Sequence, residues 1–187
     1  MRRLTGVVAA LLVLVSCGVP LQDEPAPIEP RAIPSHLQTP AVPTSLATTA
    51  RTAVQVVYVR NNRLVSVARE VSGVGVLDGV IQELTNGPTG PEQADGITTA
   101  LPPGLELAVV AVQGTRVVLE LSGETDGRSA TENVLAVGQI VLSVTALQSV
   151  EEVTFSRAGA PVEALLADGA LTTQPLTAAD YEALRVP

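Results

Sequence analysis

The stretch SATENVLAVGQIVLSVTALQ, residues 129–148, decides how this chain folds. Ser129 and Glu132 have the spacing of a capping box, which begins a helix. Apolar residues then recur on several sides, so the helix predicted from Ala130 to about Gln148 is expected to be central and buried. Gln139 lies within it. A backbone partner in a strand or loop is the usual explanation for such an amide, and a ligand contact is the alternative.

Strand patterns lie on both sides of this helix. Residues 105–112 and 116–121 predict a hairpin around Gly114-Thr115, and the alternation of apolar residues in 116–121 places one face in the core. Residues 153–157 predict the next strand, with Val153 and Phe155 pointing inward. Residues 160–166 predict a further short strand, and Thr177 is placed to cap a last short helix over 178–184.

A second set of elements comes earlier in the chain. Residues 53–59 and 64–71 are rich in β-branched residues and predict two strands joined by an Asn61-Asn62 turn. Residues 75–86 have helical spacing and end at Gly87-Pro88. The order strand-strand-helix-hairpin-helix-strand predicts an α+β fold, a small single-sheet sandwich with two helices packed on one face.

The N-terminus has the features of a secretory signal. Arg2 and Arg3 precede an apolar run from Val7 to Val15, which is too short to span a membrane. The run ends in Leu-Val-Ser-Cys at residues 14–17, which resembles the lipobox of bacterial lipoproteins. That resemblance implies that residues 1–16 are a signal peptide and that Cys17 carries a diacylglyceryl thioether. An incidental cysteine after an ordinary signal peptide is the alternative.

The composition of the next segment differs from that of the rest of the chain. Seven prolines fall between residues 18 and 51, with no apolar periodicity. Such a segment is expected to be a disordered spacer rather than part of a core. The chain is therefore divided into a signal peptide (1–16), a lipidated cysteine with a Pro-rich linker (17–51) and one folded domain (52–187).

Charge and residue types exclude several functions. The formal net charge is −8, with no lysine among the 11 basic residues, so nucleic-acid binding is not expected. The one histidine, His36, lies in the linker, and Cys17 is the one cysteine. The domain therefore lacks a Ser-His-Asp triad and the usual zinc ligands, and no metal or cofactor is predicted.

Carboxylates remain the one catalytic option. Glu151 and Glu152 are adjacent at a strand start, so their side chains are expected on opposite faces, and a solvated strand entry explains them. Ser122 precedes Gly123 and superficially resembles a nucleophile. Without a base it is interpreted as a strand-end turn.

Five motif blocks in order resemble the GerMN domain, named after the sporulation and germination protein GerM and shared with LpqB-type lipoproteins of actinobacteria. The blocks are LTNGPT (84–89) with Glu92, Gly96, Ile97, Thr99 and LPPG (101–104); VLELS (118–122); Ala136, QIV (139–141) and Thr145; Val153, Phe155, Gly159 and Pro161; and Leu176-Thr177 with Asp180-Tyr181. The resemblance covers about residues 53–181. Leu142 and Leu105 depart from it, where an aromatic residue and a threonine are common.

The resemblance implies a non-catalytic module of cell-envelope proteins, and it implies no catalytic residues. We expect a lipoprotein on the outer face of the cytoplasmic membrane that binds or scaffolds an envelope protein or the cell wall. A carboxylate-based cell-wall hydrolase would need two carboxylates facing one cleft. A small-ligand-binding lipoprotein would need an apolar pocket.

The loop over residues 87–104 is the candidate contact surface. It is long for a loop in a compact domain, and its polar residues Thr89, Glu92 and Thr99 are not expected to support the core. The alternative is that its glycines and prolines simply set turn geometry. The next candidate is the sheet face opposite the helices, beginning with Arg116, Glu120 and Thr154.

Overall fold

The computed structural model describes residues 51–73, 75–124 and 127–186. The signal peptide, Cys17 and the linker up to residue 50 lie outside these ranges, so the expectations for them stay predictions. The elements are β1 (Arg51–Arg60), β2 (Arg63–Ser72), α1 (Val76–Asn86), α2 (Gly90–Ala94), β3 (Glu106–Gln113), β4 (Arg116–Ser122), α3 (Ala130–Val144), β5 (Glu152–Arg157), β6 (Ala160–Pro161), β7 (Ala164–Leu165), β8 (Leu171–Thr172) and a 3₁₀ helix (Ala178–Leu184).

The first two strands form a hairpin with continuous antiparallel register from Arg51 opposite Ser72 to Arg60 opposite Arg63. Its turn residues Asn61 and Asn62 have φ of 52° and 57°. Both angles lie in the left-handed region that a two-residue hairpin turn requires and that asparagine tolerates. The predicted Asn-Asn turn is confirmed, and β1 begins at Arg51, one residue before the predicted start of the domain.

The α+β class and the order of the elements are confirmed, whereas the strands lie in three sheets rather than one. The outer edge of β1 explains the difference. Val59 and Thr98 exchange two backbone hydrogen bonds, with N–O distances of 2.8 and 2.7 Å. The hydroxyl of Ser143 on α3 accepts the N–H of Val57 at 2.8 Å. These groups occupy the edge to which another strand of a single sheet would bind.

The second sheet has the order β3-β4-β5-β6. The β3–β4 pair is antiparallel with a bulge between Val109 and Ala111, and β4–β5 is parallel, so α3 provides the crossover between β4 and β5. Val117 and Leu119 on β4 and Val153 and Phe155 on β5 are buried, as the alternation predicts. A third sheet contains only β7 and β8.

Helix α3 is the centre of the core. It contacts β1, β2, α1, β5, β7 and the 3₁₀ helix, and most of its side chains from Val134 to Val144 are buried. The predicted capping box is present: the Ser129 N–H donates to Glu132 Oε2 at 2.9 Å, and the Glu132 N–H donates to Ser129 Oγ at 3.3 Å. The helix ends at Val144, short of Gln148, because Thr145 caps it and a series of turns follows.

Gly138 allows two large side chains to pack against α3. A Cβ at this position would lie 2.9 Å from both Leu64 Cδ1 and Tyr181 Cδ1. Tyr181 is fully buried, and its hydroxyl donates to the carbonyl of Leu165 at 2.6 Å. Burial raises the pKa of this phenol. The glycine therefore joins the first hairpin, the central helix and the C-terminal 3₁₀ helix at one point.

Candidate functional site

The segment that follows α1 is ordered by its own polar side chains. Gly87 ends α1 with φ of 76°, as predicted. Thr89 then begins α2, a helix that the sequence analysis missed, and its N–H donates to Glu92 Oε2 at 2.8 Å. The signal for α2 was available, since Thr89 and Glu92 repeat the capping-box spacing of Ser129 and Glu132, with Pro91 near the start.

Glu92 is the partner of a buried arginine. Arg69 on β2 donates to both of its carboxylate oxygens, with distances of 2.7 Å for Nη1–Oε1 and 2.6 Å for Nη2–Oε2. The bidentate pair lowers the pKa of Glu92 to about 2. Arg69 Nε also donates to Glu83 Oε2 at 3.0 Å.

The same arginine lies over an aromatic ring. The guanidinium carbon of Arg69 is 5.3 Å from the ring centroid of Tyr58, within the range of a cation–π contact. The Tyr58 hydroxyl donates to the carbonyls of Glu83 at 2.8 Å and of Gly87 at 3.2 Å. Arg69 and Tyr58 therefore fix the end of α1 and the start of α2 against the first hairpin.

Thr99 has a comparable role at the other end of the segment. Its hydroxyl oxygen accepts Nε2–H of Gln139 at 3.1 Å and the N–H of Leu101 at 3.1 Å. Gln139 Oε1 accepts the N–H of Ala100 at 2.8 Å. The prediction that a backbone partner satisfies this buried amide is confirmed.

Thr89 and Thr99 are exposed, as a contact surface requires, whereas Glu92 is half-buried. All three residues have hydrogen-bond partners within the chain, and the partner of the Glu92 carboxylate is Arg69. Their role as a contact surface stays a prediction. The sequence could not place Arg69 beside Glu92, because the two are 23 residues apart and only the docking of α2 on β2 brings them together.

The two adjacent carboxylates considered for catalysis, Glu151 and Glu152, each bind a different side chain. Glu151 Oε2 accepts from the Thr115 hydroxyl at 3.0 Å, and Glu152 Oε2 is 2.7 Å from Nη2 of Arg116. Ser122 donates to Glu106 Oε2 at 3.2 Å. Among the residues that the structure describes, no group of three His, Cys, Asp or Glu side chains is arranged for a metal ion.

The sheet face opposite the helices brings Arg116, Glu120 and Thr154 together. They line a groove of about 390 Å³ with Val118 and with residues 172–176 at its side. Glu120 accepts hydrogen bonds from the Ser156 hydroxyl and from the N–H of Gly159, and these bonds lower its pKa. This second predicted surface therefore forms a concave, mixed polar and apolar site.

Strand β3 continues this face to an open edge. It is the terminal strand of its sheet. Within the described residues, β4 is the only strand to which its backbone is hydrogen-bonded. Val110, which lies at the bulge and lines the groove, is 60% exposed, and Val112 is 59% exposed. The sequence signal was the run AVVAV at residues 108–112, which is apolar on both faces of the strand.

Helix α1 lies beside β3. Asp78, Gln82 and Thr85 of α1 line a groove of about 650 Å³ with residues 107–109 of β3. The edge of the strand is thus bordered by two depressions, one on the outer face of the sheet and one toward α1.

A family model described as Germane, sporulation and spore germination, matches residues 40–163. The tandem GerMN domains of the sporulation protein GerM from Bacillus subtilis align at 19% identity with a TM-score of 0.56, over 74% of this chain and 49% of that structure. The first GerMN domain of the same protein aligns at 14% identity with a TM-score of 0.55, over 67% of this chain and 97% of the domain.

The chain thus spans about half the length of the tandem-domain structure. No curated protein matches the sequence. In the parts of the chain that the structure describes, no helix is both long and apolar enough to cross a membrane.

Proposed function

The chain belongs to the Germane family of sporulation and spore germination domains, and from this we propose that it is a non-catalytic binding module that takes up an extended segment of an envelope protein. The GerMN resemblance is confirmed by the family match and by the fold of the two GerM structures. We also propose that Cys17 carries a lipid anchor and that the domain lies outside the cytoplasmic membrane.

The observation that carries the proposal is the open edge of β3. A strand edge presents unpaired N–H and C=O groups, which pair readily with another chain. Exposed large apolar side chains on such an edge mark interaction sites, and Val110 and Val112 are two of the four exposed large hydrophobic residues in the described ranges. The bulge at Val110 limits pairing to a short segment, which favours one partner peptide over open-ended association.

A protein partner is favoured over a glycan by the residues present. The three aromatic residues are Tyr58, Phe155 and Tyr181, and all three are buried in the core. This surface therefore presents no exposed aromatic ring on which a sugar could stack. The groove residues Arg116, Glu120 and Thr154 instead supply charged and hydroxyl groups beside the strand edge, which suit the side chains of a bound peptide.

The lipobox at residues 14–17 supports an anchored location. A diacylglyceryl group at Cys17 holds the domain at the membrane surface with two acyl chains, which is a stable anchor where one chain is marginal. The proline-rich residues 18–51 would place the binding surface at a distance from the lipid.

The test is site-specific photocrosslinking in cells. A photoreactive residue at Val110 should capture one protein in a discrete band, whereas the same residue at Asn62, in the exposed turn of the first hairpin, should not. Val112→Lys places a charge on the edge and should remove the band while the melting temperature stays within a few degrees of wild type. A band that persists in Val112→Lys, or equal capture at Asn62, would contradict the proposed surface.

A further inference from the structure

An apolar cleft of about 260 Å³ lies along α3, on the inner side of β5. Its walls include Leu121, Ala136, Ile140, Phe155 and Ala164, and it is distinct from the β3 edge. Four polar or charged side chains also line it, namely Arg128, Asn133, Arg157 and Glu163. The cleft therefore has an apolar body with a polar part that carries two guanidinium groups and one carboxylate.

Arg128 has a donor without a partner among the residues that the structure describes. Its Nη1 is shielded from solvent and makes no hydrogen bond to any described residue. Its Nη2 has only a long contact of 3.5 Å with the carbonyl of Glu132. A shielded donor without an acceptor is unfavourable, so Arg128 Nη1 is free to take an acceptor that the described residues do not supply.

The other charged groups of the lining differ from Arg128. Arg157 Nη1 donates to the carbonyl of Gly123 at 3.0 Å. Glu163 is an exposed residue. Because the shielded group is a cation and the carboxylate is exposed, an anionic group at Arg128 complements the cleft better than a neutral or cationic group does.

The volume limits the size of the ligand. A cleft of 260 Å³ corresponds to the liquid volume of roughly nine water molecules. A methylene group occupies a similar volume to a water molecule. The space suits one unbranched chain of about ten carbons.

We propose that this cleft binds a medium-chain aliphatic carboxylate, with its carboxylate accepting from Arg128 Nη1 and its chain lying against Ile140 and Phe155. This site goes beyond the proposed peptide surface. Phe155, Val162 and Ala164 also border the groove beside β3, whereas Arg128 and the α3 residues line the cleft alone, and the cleft uses no β3 residue. The expected selectivity is for an anionic head on an apolar chain over the same chain with an uncharged head.

The chain offers a direct probe, since Phe155 is its one phenylalanine. The full chain, with Cys17→Ser so that no acyl chain is attached, is labelled with ¹³C on the phenylalanine ring and titrated with decanoate, decanol or decylammonium. We expect the Phe155 resonances to shift on adding decanoate, with binding at least ten-fold tighter than that of decanol.

Three variants and one control separate the contributions. Arg128→Leu should remove the preference for decanoate over decanol, and Arg128→Glu should transfer the preference to decylammonium. Val137→Trp, at a residue that lines the cleft and not the groove beside β3, should fill the cleft and weaken both decanoate and decanol at least ten-fold. Arg60→Leu, at an exposed arginine at the end of β1, should bind decanoate like wild type.

The proposal is overturned if decanoate leaves the Phe155 resonances unchanged, or if decanol binds wild type as tightly as decanoate. It is also overturned if Arg128→Leu, once shown by its spectrum to be folded, keeps the ten-fold preference. Should Arg128→Leu fail to fold, Val137→Trp decides: an unchanged decanoate affinity in that variant would equally exclude the cleft. Crosslinking from Val110 is unaffected by any of these outcomes.

Discussion

Arg69 on β2 and Glu92 on α2 form a bidentate ion pair in which both carboxylate oxygens accept from the guanidinium, at 2.7 and 2.6 Å. The side chains are only 12% and 18% exposed. The pair holds the loop after α1 against the first hairpin, so a residue that the sequence placed on a contact surface is part of the framework.

Glu92→Ala is expected to lower the free energy of unfolding by about 2 kcal/mol, because it leaves a partly buried arginine without its main acceptor. Urea denaturation of the full chain measures this. Glu70→Ala is the matched control, since the Arg51–Glu70 pair is largely exposed and should change stability by less than about 0.5 kcal/mol. Equal effects of the two substitutions would contradict the framework role.

The stability that Glu92 provides should depend on pH. Its pKa is lowered to about 2 in the folded chain, from an ordinary value of 4.5. A carboxyl with a depressed pKa stabilises the fold above its unfolded-state pKa, and that contribution is lost as the pH falls toward the folded-state value. The difference in unfolding free energy between wild type and Glu92→Gln should therefore be constant above about pH 5 and shrink between pH 5 and 2. A difference that does not change over this range would show that Glu92 titrates normally.

Gly138→Ala should destabilise the fold by about 1–3 kcal/mol, because the added methyl group would lie 2.9 Å from Leu64 and Tyr181, and a packed core accommodates extra volume poorly. Gly90→Ala is the control, since nothing lies within 4 Å of a Cβ there. Thermal melts of the two variants are compared with wild type. A Gly138→Ala protein as stable as Gly90→Ala would show that Tyr181 can move away from α3 at little cost.

Gln139→Leu is expected to cost about 1–3 kcal/mol, because the buried N–H of Ala100 then has no acceptor. Amide exchange at Ala100 should also become faster, which a general loss of packing would not do selectively. Gln148→Leu, at an exposed glutamine just beyond α3, should leave both quantities unchanged. Retained protection of the Ala100 amide in Gln139→Leu would mean that another group accepts this hydrogen bond.

Cys17→Ala should shift the protein out of the acylated membrane fraction or leave it as an unprocessed precursor. The reason is that the thioether can form only on the cysteine of the lipobox. Fractionation and metabolic labelling with a fatty acid measure the effect. Ser16→Ala keeps a small residue before the cysteine and should be processed normally. Unchanged acylation of Cys17→Ala would remove the basis of the anchor.

Sequence patterns predicted those parts of the fold that depend on local chemistry. The Asn61-Asn62 turn, the Ser129–Glu132 capping box and the end of α1 at Gly87 each follow from the conformational preferences of a few neighbouring residues. The division into three sheets did not, because it depends on Ser143 and Thr98 reaching the edge of β1 from distant parts of the chain.

The candidate site was predicted only in part. The alternation of β4 correctly placed Arg116 and Glu120 on the outer face. The exposure of Val110 depends on the bulge and on β3 being the terminal strand, and neither follows from the strand's own residues. That Arg128 Nη1 is shielded and has no partner among the described residues likewise depends on the packed chain, and no local pattern encodes it.

The hydrogen bond between Val57 and Ser143 joins residues 86 positions apart, and this separation governs the order in which the molecule assembles. A hairpin such as β1–β2 closes within microseconds. Its outer edge at Val57 stays uncovered until α3 has docked, and closing so long a loop slows folding. Between the closing of the hairpin and the docking of α3 the chain thus carries a partly bare strand edge, which is the interval in which it is most open to aggregation and to capture by a chaperone.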